Sequence, residues 1–352
     1  MSRRPRRRYR LQPKQSIRED RMTATTRRRF VAGAGALSAA GLSSGRAGAQ
    51  AKWPTQPVTL VVPYAAGGGA DIVARELAHL VSPRLGQPLV VDNKGAAAGG
   101  IGTQAVARAR PDGNTILYAV SSNIVLNPHI LKNFTISTVD DLVPVVQTTD
   151  YQYVLAVHPD VPASTPKELA ALARQQPGKL TFSSSGVGGS NHLAGVLFAH
   201  AAGIELTHVP YKGTGPALLD VISGVITMNF SSLPPAVSQI KAGKLKALAV
   251  TGDRRVKALP DVPTLEEAGF PGLVVKGWHG LFVPAKTAEA VIDRIEQETK
   301  TALAEKKMEE ALAKDGLELP PATQTRAQFT AAVRKEHAFW AAKVKELDIK
   351  FE

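Results

Sequence analysis

The chain of 352 residues carries 43 Lys and Arg against 30 Asp and Glu, a formal charge of +13, and contains no cysteine. The missing cysteine excludes disulfides, thiol catalysis, Fe–S clusters and cysteine-ligated zinc. The charge is concentrated: residues 1–49 hold 13 basic residues and only Glu19 and Asp20 as acids, so the other 303 residues carry only +2 and the high pI predicts no nucleic-acid affinity for them.

Residues 1–49 read as a basic leader and a cleaved signal peptide. Thr26-Arg27-Arg28-Arg29-Phe30-Val31 fits a twin-arginine export motif, an Ala/Gly-rich apolar segment runs from Val31 to Leu42, and Ala47-Gly48-Ala49 is a small-x-small cleavage site. Met22 would also start a leader of ordinary length. A basic arm for nucleic acid is the alternative, but an arm has no need of that ordered pattern. After residue 50 no stretch reaches about 18 apolar residues, so the mature chain is expected to be soluble. Its length predicts two domains.

In chain order, Val58 to Val62 is a β-branched apolar run that reads as a buried strand ended by Pro63. Gly67-Gly68-Gly69 follows, then a helix with Ile72, Val73, Leu77, Leu80 and Val81 on one face. A glycine turn at a helix N-terminus leaves main-chain N–H groups uncovered, and the helix dipole favours an anion there. The turn has no Lys or His, so its ligand is expected to be held by main chain and small side chains. Further strands are expected at Pro88–Asn93 and Thr115–Val120, with Ser121, Ser122 and Asn123 just past the second. Alternating strands and helices predict a parallel sheet, whose carboxyl ends are where ligands bind. Val143–Thr148 and Tyr153–Val157 read as two strands, and Thr165-Pro166-Lys167-Glu168 as a capped helix start.

The opening pattern then recurs. Leu180–Ser183 is a strand, Ser184 to Asn191 a small-residue turn, and His192–Ala202 a helix stopped by Gly203. A third turn runs from Val209 to Pro216. Ile226–Phe230, Leu245–Val250 and Gly277–Pro284 are further strands, and Thr287–Leu303 and Thr325–Leu347 are helices. Two strand–turn–helix units, one in each half, predict a ligand gripped between two helix N-termini.

Other chemistries fit less well. Asp71 reads as a first-turn cap rather than a catalytic acid. Gly100-Ile101-Gly102-Thr103-Gln104-Ala105 matches a G-x-G-x-x-A fingerprint, but no acidic residue ends a following strand about 20 residues on. Gly188-Gly189-Ser190-Asn191-His192 lacks the last glycine of a nucleophile elbow, and a Ser and His two residues apart cannot pair as a triad. No glycine loop leads into Lys-Ser/Thr, and the eight histidines show no metal spacing, so no cofactor or metal is expected. Lys212 is the one cation in the three turns.

The mature chain resembles the substrate-binding proteins of tripartite tricarboxylate transporters, the Bug-type receptors. The resemblance rests on Trp53-Pro54, Pro63-Tyr64-Ala65-Ala66-Gly67-Gly68-Gly69-Ala70-Asp71 with Ala74-Arg75, and Ser184-Ser185-Gly186-Val187-Gly188-Gly189-Ser190-Asn191-His192-Leu193. Val209-Pro210-Tyr211-Lys212-Gly213, Asp261 to Glu267 and Gly277-Trp278-His279-Gly280-Leu281-Phe282-Val283-Pro284 extend it. It implies an α/β, periplasmic binding protein-like fold of type II (a Venus flytrap). Its two α/β domains would be 50–153 plus 275–352 and 154–274, with a hinge crossed twice. It implies a monomeric, non-enzymatic receptor that binds a small carboxylate and passes it to a membrane permease. The ligand residues it implies are Tyr64, Ala66, Gly67, Gly68 and Asp71 on domain one and Ser185, Gly186 and Ser190 on domain two. Ser121, Ser122, Asn123, Tyr211, Lys212 and Ser231 are added as wall candidates, and Gly69 is not included. The rival class is a periplasmic serine hydrolase using Ser190 or Ser185 with His192.

Overall fold

A computed structural model describes residues 53–346, so the leader expected at 1–49 lies outside the described residues. Strand β1 (Val58–Val62) leads through the glycine turn into helix α1 (Gly69–Leu85), as the apolar pattern predicts. α1 buries Val73, Leu77, Leu80 and Val81 and stops at Gly86, whose φ of +75° and N–H bond to the Ser82 carbonyl form a left-handed cap. Strand β2 (Leu89–Asn93) pairs parallel to β1, with Val58 opposite Leu89. Helix α2 (Gly100–Ala107) precedes strand β3 (Thr115–Val120), which lies parallel on the other side of β1. The glycines that mimic a dinucleotide fingerprint serve packing: a methyl added at Gly102 would lie 2.8 Å from the Pro63 side chain. Two short helices, α3 (Ser121–Val125) and α4 (Asn127–Ile130), leave the carboxyl end of β3.

Strand β4 (Leu142–Val157) is 16 residues long where two strands were expected. The segment between them, Thr149 to Gln152, is polar but holds no glycine or proline, so nothing in it turns the chain. Helix α5 (Pro166–Gln175) begins with the expected cap: Thr165 Oγ1 accepts from Glu168 N at 3.1 Å, while Glu168 reaches back to Ser164 N at 2.7 Å. Then come β5 (Thr181–Ser184), α6 (Ser190–Ala202), β6 (Thr207–Pro210), α7 (Thr214–Ile222), β7 (Met228–Ser232), α8 (Leu233–Lys241) and β8 (Lys246–Val250). Strand β9 (Lys276–Pro284) is followed by α9 (Glu289–Leu303), α10 (Lys306–Lys314) and α11 (Arg326–Glu346).

One half of the fold has the strand order β2-β1-β3-β9-β4, and the other has β6-β5-β7-β4-β8. Only β2-β1-β3 and β6-β5-β7 are parallel; β4, β8 and β9 run antiparallel to their neighbours, which the sequence pattern did not distinguish. β4 belongs to both halves. Through Gln152 it pairs with β9, and from Tyr153 it pairs with β7 on one side and β8 on the other. The chain crosses back between β8 and β9. α11 closes the first half by burying Phe329 and Val333 against Phe282, Trp278 and Leu142.

The two crossings are tied to each other. Thr251 Oγ1 accepts from Tyr153 N at 2.9 Å and donates to the Val275 carbonyl at 2.6 Å, and Gly252 N donates to Gln152 Oε1 at 2.6 Å. Thr251 is fully buried, so losing its hydroxyl strands one N–H and one carbonyl. Thr251→Val is expected to lower stability by about 1–3 kcal/mol in urea unfolding; an unchanged midpoint would show that the stitch contributes nothing.

Candidate functional site

The first loop is held rigid by a carboxylate that faces inward on the loop itself. Gly67, at φ +80°, donates its N–H to Asp71 Oδ2 at 2.9 Å. Asp71 Oδ1 takes Asn93 Nδ2 at 2.9 Å and the Arg75 guanidinium at 2.9 Å. Burial alone would push the Asp71 carboxyl up, but Arg75, the Gly67 N–H and Asn93 outweigh it and hold the carboxyl below its ordinary range. Asp71 therefore braces the loop, with its lone pairs already used. Ala66 and Gly67 lie on the exposed outer side. The first N–H with a helical acceptor is that of Ile72, bonded to the Gly68 carbonyl at 3.0 Å, so the donors of Gly69 and Ala70 precede the ladder and project from the N-terminus of α1.

The second loop repeats this arrangement. Ser185 gives both its N–H (3.3 Å) and its hydroxyl (2.9 Å) to Asn191 Oδ1. In α6 the first helical bond is Leu193 N to Gly189 O at 3.0 Å, which leaves Ser190 at the open first turn. His192 is turned into the domain: its Nδ1 accepts from Gly188 N at 3.2 Å, and its ring stacks on His208 at 3.8 Å. His208 Nε2 pairs with Ser184 Oγ at 2.7 Å. Burial pushes His192 down to about 3, with His208 adding to the effect, and pushes His208 down to about 4. An imidazole so reluctant to take a proton is poorly suited to be a general base at neutral pH.

Between the loops lies a cavity of about 40 Å³. It gathers Tyr64 and Gly68 from the first loop, Ser122 from α3, and Ser185 and Ser190 from the second. It also gathers Gly69, Ala70, Tyr151, Tyr153, Thr214, Ser232 and His279, which were not among the residues expected from sequence. Thr214 lies in the third turn, which the glycine pattern did mark. Tyr151 falls in the stretch read as a gap between strands, and Tyr153 is the first residue of the second expected strand; the merged β4 brings both to the cavity. His279 lies within the Trp278-His279-Gly280 motif, which by itself assigns no role.

The remaining candidates stand elsewhere. Ser121 Oγ pairs with Tyr151 Oη at 3.3 Å, behind the wall. Asn123 donates to Tyr64 Oη at 3.0 Å and to the Ala98 carbonyl at 2.6 Å. That carbonyl also accepts from Tyr64 Oη and Asn127 Nδ2, and it belongs to a turn in which Ala97 and Ala98 both have left-handed φ, of 46° and 47°. Ser231 is fully buried and its hydroxyl donates to the Ser232 carbonyl at 3.1 Å; strand alternation turns it away and presents Ser232 instead. Gly186, Tyr211 and Lys212 line a separate open groove of about 830 Å³. The Tyr211 hydroxyl donates to the Asp220 carboxylate. Lys212 contributes its carbonyl, which accepts from Ala65 N at 3.0 Å across the cleft.

The cavity walls are neutral at pH 7. Burial pushes Tyr64 up to about 12 against the pull of Ser122 and Asn123, and it raises Tyr151 and Tyr153 as well. Burial pushes His279 down to about 3; its Nδ1 pairs with Thr149 Oγ1 at 2.7 Å, and its ring lies between Tyr118 and Tyr151. Among the described residues no Lys, Arg, Asp or Glu lines the cavity. Among the described residues no three His, Asp or Glu side chains gather as metal ligands, and no helix is long and apolar enough to cross a membrane.

Known proteins resemble the chain along most of its length. Residues 73–348 match the tripartite tricarboxylate transporter family receptor. A UPF0065 protein from a Pseudomonas species is 39% identical over 292 residues, 83% of this chain and 86% of that protein. Protein BugT of Bordetella pertussis is 32% identical over 301 residues, covering 85% and 92%. The periplasmic binding protein BugD superposes with a TM-score of 0.82 at 34% identity over 85% of this chain and 100% of that one. A Rhodopseudomonas palustris protein with adipate scores 0.79 at 30% identity over 83% and 97%. MatC from the same organism, with bound malate, scores 0.79 at 28% over 82% and 99%. The two-domain binding-protein fold, crossed twice, is thus shared with these structures.

The brace at Asp71 can be tested by pH. A carboxyl held below its unfolded pKa stabilises the fold above about pH 4, and that stabilisation fades as pH falls through the lowered value. Asp71→Asn is expected to lower Tm at pH 7, with the gap from the parent closing at acid pH. A gap that stays constant down to about pH 2 would show that the charge is not what matters.

Proposed function

The chain belongs to the tripartite tricarboxylate transporter receptor family, and from that membership we propose a periplasmic receptor that captures a small carboxylate between its two domains. It then presents the loaded form to a membrane permease of that transporter class. The domain boundaries we assign are 50–153 plus 275–352 and 154–274. They are supported by β4 changing partners after Gln152 and by the return crossing at Thr251 and Val275. Export by the leader at 1–49 and action as a monomer complete the reading.

The observation that carries it is the convergence of the α1 and α6 N-termini on a cavity with neutral walls. Helix N-termini supply N–H donors and a positive partial charge, so a carboxylate needs no cationic side chain there. Nothing in the cavity is poised to activate a nucleophile, which supports capture rather than turnover. A cavity of about 40 Å³ admits only a few waters, so entry requires the domains to part. The ligand docks on one helix terminus, and closure brings up the other, shifting an open–closed equilibrium about the two crossings.

Two experiments test this. In a thermal-shift screen of small carboxylates, with malate and adipate included, at least one is expected to raise Tm saturably at one per chain without being consumed. Turnover, or no shift with any carboxylate, would overturn the reading. Closure itself can be blocked at Gly69, where an added methyl would lie 2.8 Å from Ser232 Oγ, too close to be accommodated. Gly69→Ala is expected to weaken binding at least about tenfold with little change in the Tm of the free protein; normal affinity would show that the domains do not close on this contact.

A further inference from the structure

We propose that Ser122 and Ser232 set ligand selectivity: their hydroxyls, one from each domain, hydrogen-bond a second, uncharged oxygen on the captured carboxylate, so that hydroxy- or oxo-substituted carboxylates bind in preference to their unsubstituted analogues. This rests on the carboxylate reading above and narrows it.

Ser232 occupies the N-cap of α8, where a serine hydroxyl ordinarily accepts from the N–H two or three residues on. Those residues are Pro234 and Pro235, which have no N–H to give. The hydroxyl makes no cap bond and no other hydrogen bond, although it is buried. Capping therefore does not explain a serine here. Its hydroxyl instead overlies Gly69 in the first turn of α1, across the cleft from its own domain, and it lines the cavity.

Ser122 is 2% exposed and lines the same cavity from the first domain. Its Oγ has no well-formed hydrogen bond, although it sits close enough to the Tyr64 hydroxyl to bond it weakly. Ser122 is the second residue of α3, so its hydroxyl has no preceding helical turn to bond back to, unlike Ser82, whose Oγ donates to the Ala78 carbonyl at 2.6 Å. Ser185, by contrast, is already committed to Asn191. Two buried hydroxyls, on opposite sides of one cavity and both without a well-formed hydrogen bond, are placed to bond whatever closes between them.

The oxygen they meet is uncharged. Among the described residues no cationic side chain lines the cavity, so a second carboxylate there would be desolvated with no counter-charge. A hydroxyl or oxo group needs only hydrogen bonds. A site whose polar groups would be left unpaired by the analogue lacking that oxygen rejects the analogue.

The test uses the full chain and matched pairs in calorimetry: propanoate with lactate and pyruvate, butanoate with 3-hydroxybutanoate, and succinate with malate. In the parent protein an oxygenated member is expected to bind at least about tenfold more tightly than its partner. Ser232→Ala and Ser122→Ala should each cut that ratio at least about threefold, and the double variant should bring it to about one. Ser232→Cys, which keeps the volume, serves if the alanine variant fails to fold. Carboxylate binding with no preference in the parent, or a preference that persists in the variants, overturns the proposal and leaves the receptor reading standing. No binding by any member overturns both.

Discussion

Everything at the site depends on main chain meeting main chain across the cleft. The Ala65 N–H reaches the Lys212 carbonyl at 3.0 Å, and Gly69 lies directly beneath Ser232. Such approach is possible only where side chains are absent or small, and so both loops are built from Gly, Ala and Ser. The same constraint dictates the chemistry. With no room for Lys or Arg at the contact, positive charge there is left to the helix N-termini. Asp71 and Lys212, the two charged residues of the loops, are pushed out of the cavity. One braces its own loop, and the other offers only its carbonyl.

A site of this kind requires its loops to be in place before the ligand arrives, because ordering them afterwards would cost affinity. Asp71 ties Gly67, Asn93 and Arg75 together beneath the first loop. The Ala98 carbonyl gathers Tyr64, Asn123 and Asn127 behind it, at a turn whose backbone is held in an uncommon conformation. Asn191 does the same for Ser185. Candidates such as Asn123 and Asp71 thus stand one layer behind the cavity and act on its shape. At the crossings, where β4 passes from one sheet to the other, Thr251 joins it to the return strand.

Local chemistry is legible in a sequence when it repeats at short range. Gly67 to Asp71, Ser184 to Ser190 and the turn before Thr214 each announce a helix start, and two of them supplied cavity residues that were named in advance. Tyr151 was invisible because polarity in a strand reads as a loop until pairing with β9 shows otherwise, and Tyr153, though read as a strand residue, gave no sign of which face it presents. Ser231 was chosen where Ser232 faces the cavity, since a period of two makes a one-residue difference a change of face. Lys212 suggested a counter-charge, yet its side chain lies in the outer groove.

The sequence by itself determined the β–turn–α units, the helix cap at Thr165, the glycine stops and the small-residue character of both loops, because each follows from the conformational limits of a few adjacent residues. It also carried enough motif to point to the receptor family. Only the tertiary structure decided that β4 is one strand serving both halves, that His279 and two tyrosines wall the cavity, and that Ser122 and Ser232 line the same cavity. Those outcomes depend on pairing register and on contacts between residues more than a hundred positions apart, and no local pattern encodes either.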